Sequence, residues 1–474
     1  MIKFGTSGWR GLIAQDFTFA NVRLAAQAIA DYLKEELAAA ESPIYGRNPE
    51  VIIGYDTRFL GKEFSLAVAE ILSLNGLRPL LCDRDTPTPV ISHNIRSRKA
   101  IGGINITASH NPAYYQGLKF STFNGAAAIP EVTRRIEANV EKLIKNHWSV
   151  RSQIVGSFRC PVFDPRPAYF KQISKLIDFE IIRRAKLKVG VELMYGTGRG
   201  YLDYLLTGAG VKVSVFHGEA DPFFGGHHPE PNSEGMHLVR QEIEAGKISL
   251  GLGLDGDADR FGIVDRDGTW LSPNQILALA LYHLKKNRGW TGAAVRTVPT
   301  SHQVDAVAAL LGVPLHETAV GFKYIGALME SEPIIVGGEE SGGLSVKGHI
   351  PEKDGILACL LMAELVATER KPLLTILQSL EATSGAFFTD RLNISIPAER
   401  KQVLLDKLAG GLDRIGKFKV EKFITVDGFK FLLPKGEWVA FRASGTEPLL
   451  RCYIEARSSR SLDQLRSACR KVLE

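Results

Sequence analysis

Three times along the chain, a short apolar β-rich run feeds directly into a loop of small and chemically active residues. Ile101 to Ile106 runs into Thr107-Ala108-Ser109-His110-Asn111-Pro112. Ile248 to Leu254 runs into Asp255-Gly256-Asp257-Ala258-Asp259-Arg260. Ile334 to Val336 feeds Gly337-Gly338-Glu339-Glu340-Ser341-Gly342. Strand-like and helix-like segments alternate around each of them. In the first third, Val51 to Tyr55 and Arg78 to Cys82 read as strands flanking a helical Lys62 to Leu74. Leu187 to Leu193, Tyr201 to Thr207, Val211 to Phe216 and Met236 to Ala245 repeat the plan, and Ala293 to Val298, Gln303 to Leu311 and Tyr324 to Met329 repeat it again. Such alternation argues for α/β units with mostly parallel sheets. Ligands bind beyond the carboxyl ends of strands in open α/β sheets, so three similar units can bring three loops to one cleft.

The last hundred residues follow another pattern. Strand-like Arg391 to Ile396 and helical Arg400 to Leu408 precede β-runs at Phe423 to Val426, Phe429 to Leu433, Glu437 to Phe441 and Leu449 to Glu455, and a closing helix starts near Ser461. That order predicts a small α+β domain with an antiparallel sheet. At ~150 residues per domain, 474 residues make three domains, or four small ones. Linkers are expected near residues 148–165 and 370–388, with a further junction near the Asp-rich loop.

Composition excludes several classes. A net charge of +6 is mild for this length, and the densest basic run, Arg183-Arg184-Ala185-Lys186-Leu187-Lys188, leads into an apolar strand and reads as a solvated helix end. No nucleic-acid partner is expected. The longest unbroken apolar run, Ile356 to Ala363, is too short to cross a membrane, and the first residues carry no signal-peptide pattern. Five widely spaced cysteines without a C-x-x-C argue against a disulfide framework or zinc site and for a reducing compartment, hence a cytoplasmic location.

Asp255, Asp257 and Asp259 alternate with small residues, and three carboxylates so close repel unless a hard cation such as Mg²⁺ sits among them. An EF-hand needs glycine at the sixth loop position and glutamate at the twelfth, where this chain has Arg260 and Arg266. Arg260 suits a phosphate held beside the cation. Ser109 stands at the tip of its turn beside His110 and Asn111. There is no G-x-S-x-G elbow, but a serine among polar groups can carry a phosphoryl group, whose oxygens would ligate a cation held by aspartates. Lys119 is a candidate proton shuttle. Glu339, Glu340 and Ser341 between glycines are acceptors of the kind that bind sugar hydroxyls. Arg442-Ala443-Ser444-Gly445-Thr446 sets an arginine, hydroxyls and a glycine amide together as a phosphate cradle. Gly5 to Gly11, which contains Arg10, is phosphate-friendly without being specific. Gly196-Thr197-Gly198-Arg199-Gly200 fails the dinucleotide fingerprint, because Tyr201 stands where the third glycine belongs, and reads as a tight turn opening a helix.

Taken together, these motifs resemble the α-D-phosphohexomutase family, over the whole chain and in the family's order. The resemblance implies four domains around a central cleft: three similar α/β domains with mixed sheets and a smaller C-terminal α+β domain, at residues 1–150 (serine loop), 151–257 (ending in the metal loop), 258–372 (sugar recognition) and 373–474 (phosphate binding). It implies Ser109 as the phosphorylated residue, Asp255, Asp257, Asp259 and a phosphoserine oxygen as Mg²⁺ ligands, and Arg442, Ser444, Gly445 and Thr446 as the grip on the non-reacting phosphate. Glu339 and Ser341 would hold sugar hydroxyls. Arg10 and Arg260 would assist transfer, Lys119 would do acid/base work and His110 would support the site.

Within the family, Glu339-Glu340-Ser341 is similar to the phosphoglucomutase form of the sugar loop. Phosphomannomutases usually have Met and phosphoglucosamine mutases Gln in place of Glu340, with a His in place of Gly343. Gly321-Phe322-Lys323 and His349 to Gly355, which contains Lys353, are also similar to phosphoglucomutases and add Lys323 and Lys353 as substrate-binding residues. Ala258 replaces a glycine common in the metal loop. The expected activity is the interconversion of glucose 1-phosphate and glucose 6-phosphate through glucose 1,6-bisphosphate. The alternatives are a phosphomannomutase, a dual-specificity mutase, a glucose 1,6-bisphosphate synthase, or a non-enzymatic sugar-phosphate binding protein. The expected partners are small hexose phosphates, with the chain a monomer or homodimer.

Overall fold

A computed structural model of the chain describes residues 2–5, 8–148, 158–396, 398–443 and 449–473. Four principal sheets follow one another along it. In spatial order, the first holds Trp9–Leu12, Tyr115–Thr122, Ala100–Ile106, Asn48–Tyr55, Arg78–Cys82 and Val162–Phe163. The second holds Trp270–Leu271, Phe261–Val264, Leu250–Leu254, Lys188–Glu192 and Lys212–Phe216. The third holds Leu315–Thr318, Ala293–Thr297, Ile334–Glu339 and Gly343–Val346.

Each of these three sheets has a parallel centre with an antiparallel return strand beside it. Ala100–Ile106 turns back into Tyr115–Thr122, Leu250–Leu254 into Phe261–Val264, and Ile334–Glu339 into Gly343–Val346. The chemically active loops are therefore hairpin turns. Two of the return strands are only four residues long, and all three follow polar loops that interrupt the apolar pattern, so alternation along the chain does not reveal them. The sheets are mixed, as the four-domain expectation holds: parallel pairings outnumber antiparallel ones in the first and third, and the two kinds are equal in the second.

The second sheet continues to Leu271, so the expected boundary at 257 falls inside the hairpin turn between Leu250–Leu254 and Phe261–Val264. Helix Leu373–Ser384 buries Leu373, Ile376, Leu377 and Leu380 in the same core as helix Gly355–Glu369. The chain leaves the third domain only after that helix, later than the expected 372.

One apolar core joins the second and third domains. It runs from Tyr169 and Ile173 through Leu252 and Leu254 to Leu357, Leu360 and Leu361. Helix Gly355–Glu369 lies at its centre, buried on almost every side and capped by Asp354, whose side chain accepts the Leu357 N–H. A helix buried all round has no polar stripe, and its sequence reads only as an apolar run.

The fourth domain is smaller, with its own core from Ile396 to Cys469. Its sheet orders Phe388–Ser395, Leu449–Ala456, Trp438–Ala443, Phe429–Leu432 and Lys422–Ile424, all antiparallel, and helices Ala398–Ala409 and Ser459–Leu473 complete it. Among the described residues, no helix is long and apolar enough to cross a membrane.

Candidate active site

The turn after Ala100–Ile106 places Ser109 at φ +55°, a left-handed conformation that costs a non-glycine residue free energy. A buried network holds it there. The Ser109 N–H donates to Thr107 Oγ1 at 2.9 Å, and the Thr107 hydroxyl donates to Asp56 Oδ2 at 2.6 Å. Asp56 pairs with Arg58 at 3.0 Å. The Arg58 guanidinium then donates to the carbonyls of Ser109 (2.7 Å), Asn111 (2.6 Å), Pro112 (2.6 Å) and Tyr115 (3.2 Å). Burial pushes the Asp56 carboxyl up, to about 6, against the pull of Arg58. Neither Asp56 nor Arg58 stands among the candidates that the sequence alone suggests. A signal for them exists: Asn48–Tyr55 also ends in a polar loop, Asp56-Thr57-Arg58.

The metal loop meets the serine loop directly. The Ser109 hydroxyl lies 3.1 Å from Asp255 Oδ2, and His110 Nδ1 lies 3.4 Å from Ser109 Oγ. A methyl group on Gly256 would meet the Ser109 carbonyl oxygen at 2.9 Å, so glycine there permits the close approach. Ala258 takes φ +56°, a left-handed conformation that glycine adopts without strain.

Asp255, Asp257 and Asp259 are fully buried and each offers a ligand oxygen within 4.8 Å of the others. Asp257 Oδ1 and Asp259 Oδ1 are buried without a hydrogen-bond partner. Unsatisfied carboxylate oxygens in an all-oxygen cluster fit a hard divalent cation such as Mg²⁺.

Lys119 lies on the return strand Tyr115–Thr122, opposite Asn105. Its ammonium bridges Asp257 (2.6 Å) and Asp259 (2.9 Å), and Lys353 reaches Asp259 at 3.1 Å. Gly343 leaves the path for that second lysine, since a Cβ there would stand 2.2 Å from Lys353 Cδ. Thr88, which no sequence pattern singles out, donates to Asp257 Oδ2 at 2.5 Å.

These contacts set the charges. Burial and then the charges of Asp257 and Asp259 raise the Asp255 carboxyl well above the usual range. Burial works the same way on Asp259, but Lys119, Lys353 and Arg260 outweigh it and hold that carboxyl low. Burial opposes the charge on Lys119, but Asp257 and Asp259 keep its ammonium protonated beyond the usual lysine range. Burial, then Arg260 and Arg10, push His110 well below its ordinary value, so its imidazole is neutral.

The other candidates surround this cluster. Arg10 donates to Asn111 Oδ1 at 2.5 Å. The Arg260 N–H donates to Asp255 Oδ1 at 3.0 Å, and its guanidinium lies 3.4 Å from Glu230. Arg260, Glu340 and Ser341 line a cavity of about 380 Å³. Glu339 accepts the Gly321 N–H at 2.8 Å, which ties the sugar loop to the segment bearing Lys323. Lys323 and Arg442 line another cavity, of about 440 Å³, between the first, third and fourth domains. Lys323 also borders a space beside Lys119, Asp259 and Lys353. Arg442 Nε contacts both Asp427 carboxylate oxygens, at 3.0 and 2.9 Å, and Asp427 accepts the Val320 N–H at 2.8 Å. Ser444, Gly445 and Thr446 lie outside the described residues.

Comparison with known proteins agrees with this architecture. Family models described as phosphoglucomutase/phosphomannomutase match in four successive pieces: alpha/beta/alpha domain I at residues 1–147, domain II at 167–268, domain III at 272–383 and the C-terminal domain at 393–472. A Thermococcus kodakarensis protein named phosphoglucomutase/phosphomannomutase is 30% identical, over 99% of this chain and 98% of its own. A Methanothermobacter thermautotrophicus protein that carries a phosphoglucosamine mutase name is 29% identical, over 99% and 97%. A solved Thermus thermophilus structure that carries a phosphomannomutase name is 32% identical with a TM-score of 0.85, covering 100% of this chain and 99% of that one. Relatives of near-equal identity thus carry different sugar names, but the four-piece match along the whole length leaves one enzyme class, and the chain belongs to the phosphoglucomutase/phosphomannomutase family of phosphohexomutases.

Proposed function

We propose that the chain is a phosphoglucomutase, which interconverts α-D-glucose 1-phosphate and glucose 6-phosphate by way of a phosphoserine and glucose 1,6-bisphosphate. The observation that carries the reading is the approach of the Ser109 hydroxyl, at 3.1 Å, to one carboxylate of a buried three-aspartate cluster whose other two members are bridged by Lys119. The glucose assignment rests on Glu339-Glu340-Ser341 and on Gly343, whose missing side chain leaves room for Lys353.

Asp255, Asp257 and Asp259 would hold Mg²⁺, which when bound supplies positive charge opposite the transferring phosphoryl group. In the transfer, the Ser109 Oγ–P bond breaks as a bond forms from phosphorus to a sugar hydroxyl oxygen, and the hydroxyl proton leaves. Lys119, as the amine once the charge of Asp257 and Asp259 is taken up by a cation, would accept that proton and pass it to the leaving Ser109 Oγ, and the reverse transfer would run the same proton back. Arg10 and Arg260 bring positive charge to the phosphoryl oxygens, and neutral His110 orients Ser109 Oγ. Glu339 and Ser341 accept from sugar hydroxyls, with Lys323 and Lys353 alongside. Arg442 with Ser444, Gly445 and Thr446 grips the phosphate that does not react. The bisphosphate must then turn around, so this grip has to serve both orientations.

A dual-specificity phosphoglucomutase/phosphomannomutase is the second reading, favoured by the double name of the 30% identical relative. The deciding test is turnover of glucose 1-phosphate, mannose 1-phosphate and glucosamine 1-phosphate with Mg²⁺ and catalytic glucose 1,6-bisphosphate. Glucose turnover alone is the expected result. Comparable mannose turnover establishes dual specificity. No turnover on any sugar, from protein phosphorylated on Ser109, refutes a mutase.

A further inference from the structure

Two buried charges of opposite sign cross from the fourth domain into the third. Lys430, on strand Phe429–Leu432, has no exposed surface. Its ammonium donates to the Val298 carbonyl at 2.8 Å and lies 3.1 Å from Glu317 Oε2 and 3.0 Å from His302 Nε2. All three partners belong to the third domain, at the carboxyl ends of Ala293–Thr297 and Leu315–Thr318 and just before helix Gln303–Leu310. Arg296 fixes Glu317 from behind, and the Trp438 ring closes the other side, 4.4 Å from the ammonium.

Glu455 makes the reverse connection. It is fully buried on strand Leu449–Ala456, takes the Trp438 indole N–H at 2.6 Å, and accepts the His302 N–H at 3.1 Å where helix Gln303–Leu310 begins. A carboxylate there is well placed against the helix dipole. Nearer the site, Arg391 lies 3.6 Å from Glu340 of the sugar loop.

Burying a lone lysine among fixed partners costs desolvation, so such a pair contributes little to stability; what it specifies is geometry. The geometry here concerns the phosphate grip. Lys430 pairs in register with Ala440, two residues before Arg442 on the same strand. Lys430 thus ties the strand pair that carries Arg442 to the third domain, beside the Arg442–Asp427–Val320 contact.

We propose that Lys430 is a positioning residue: with Glu317 and the Val298 carbonyl as its socket, and with Glu455 and the Arg391–Glu340 pair as secondary contacts, it sets the register of the fourth domain against the third and so the distance between Arg442 and the Glu339–Ser341 loop. The kinetic part of this inference rests on the mutase reading; the structural part does not.

The test compares full-length wild type with Lys430→Met, Glu317→Gln, the double variant and Arg391→Ala. Two readouts are used: steady-state turnover of glucose 1-phosphate, and the radius of gyration from small-angle X-ray scattering without ligand. For Lys430→Met the expected result is a KM raised about tenfold with kcat changed less than about threefold, in the range of ordinary coupling between sites. Its radius of gyration is larger than that of wild type. Glu317→Gln moves both readouts the same way, the double variant is no worse than Lys430→Met, and Arg391→Ala gives a smaller KM rise. Unchanged KM and radius of gyration in a folded Lys430→Met overturn the proposal, whether or not its melting temperature falls. Should Lys430→Met fail to fold, Glu317→Gln decides by the same two readouts. Should wild type turn over no hexose phosphate, the mutase reading fails, and scattering alone decides the socket.

Discussion

The second and third domains meet through hydrocarbon, whereas the third and fourth meet through charge. One continuous apolar core spans the first junction, with helix Gly355–Glu369 at its centre. Across the second junction stand Lys430 against Glu317, Glu455 against the start of helix Gln303–Leu310, Arg391 against Glu340, and Asp427 against the Val320 N–H. The fourth domain keeps a core of its own. An apolar junction loses free energy in proportion to the area it exposes, so its halves act as one body. A polar junction exchanges its partners for water at much lower net cost, provided every buried group is satisfied when closed. This molecule places the three-aspartate cluster and the Glu339–Ser341 loop on the part with the shared core and Arg442 on the part held by polar contacts. The proposed reaction, in which a bisphosphate is released and gripped again, would benefit from that division.

The largest expected effect probes the serine and metal loops. On the proposed mechanism Ser109→Ala removes the phosphoryl carrier, and kcat should fall on the order of 10⁴-fold or more. Steady-state turnover measures it, and intact-mass analysis should show loss of the phosphate adduct with the fold unchanged. Residual turnover near wild type would refute Ser109 as the carrier.

Next is the weld itself. Leu361 is fully buried in the shared core, and Leu361→Ala should cost about 2–5 kcal/mol by lost transfer energy and residual cavity. Urea unfolding measures it. A loss below about 1 kcal/mol would mean that the two domains are not joined as described.

A pH experiment sharpens the polar side. Burial, with Arg296 acting the same way, lowers the Lys430 ammonium from its ordinary 10.5 to about 8, against the pull of Glu317 and Asp305. His302 and the Trp438 ring also face it. Between pH 8 and 10.5 the unfolded chain therefore binds more protons at this position than the folded one. Stability from this group rises with pH across that window, as the cost of burying the charge is relieved. The difference in unfolding free energy between wild type and Lys430→Met, followed from about pH 7.5 to about pH 10, should grow in favour of wild type. A flat difference would show that the pairing with Glu317 cancels the desolvation.

The smallest effect is a control on the exposed surface. Arg183 pairs with Glu180 one helical turn away, both well exposed. Arg183→Ala should change stability by no more than about 0.5 kcal/mol.

Much of the candidate site was legible because its residues are contiguous in the chain. Ser109 and His110, the three aspartates and Arg260, and Glu339 with Ser341 each occupy one hairpin turn, and a turn keeps its residues together in any fold that forms it. Arg58 was not legible in the same way. It acts on the Ser109 carbonyl from a different strand end, and its own loop has no glycine or repeated carboxylate to mark it. Two of the three return strands escaped for a related reason: Phe261–Val264 and Gly343–Val346 are four residues each, too short for a period to establish itself.

By itself, the sequence determined the α/β alternation, the smaller closing domain and the loops that gather acidic, hydroxyl and basic side chains, because each depends on neighbours in the chain. Only the tertiary structure decided that Lys119 lies between Asp257 and Asp259, that Lys353 passes over Gly343, and that Lys430 enters the third domain. Those pairings join residues far apart in sequence, and which charge finds which partner is settled only when packing excludes water and leaves one arrangement with its buried polar groups satisfied.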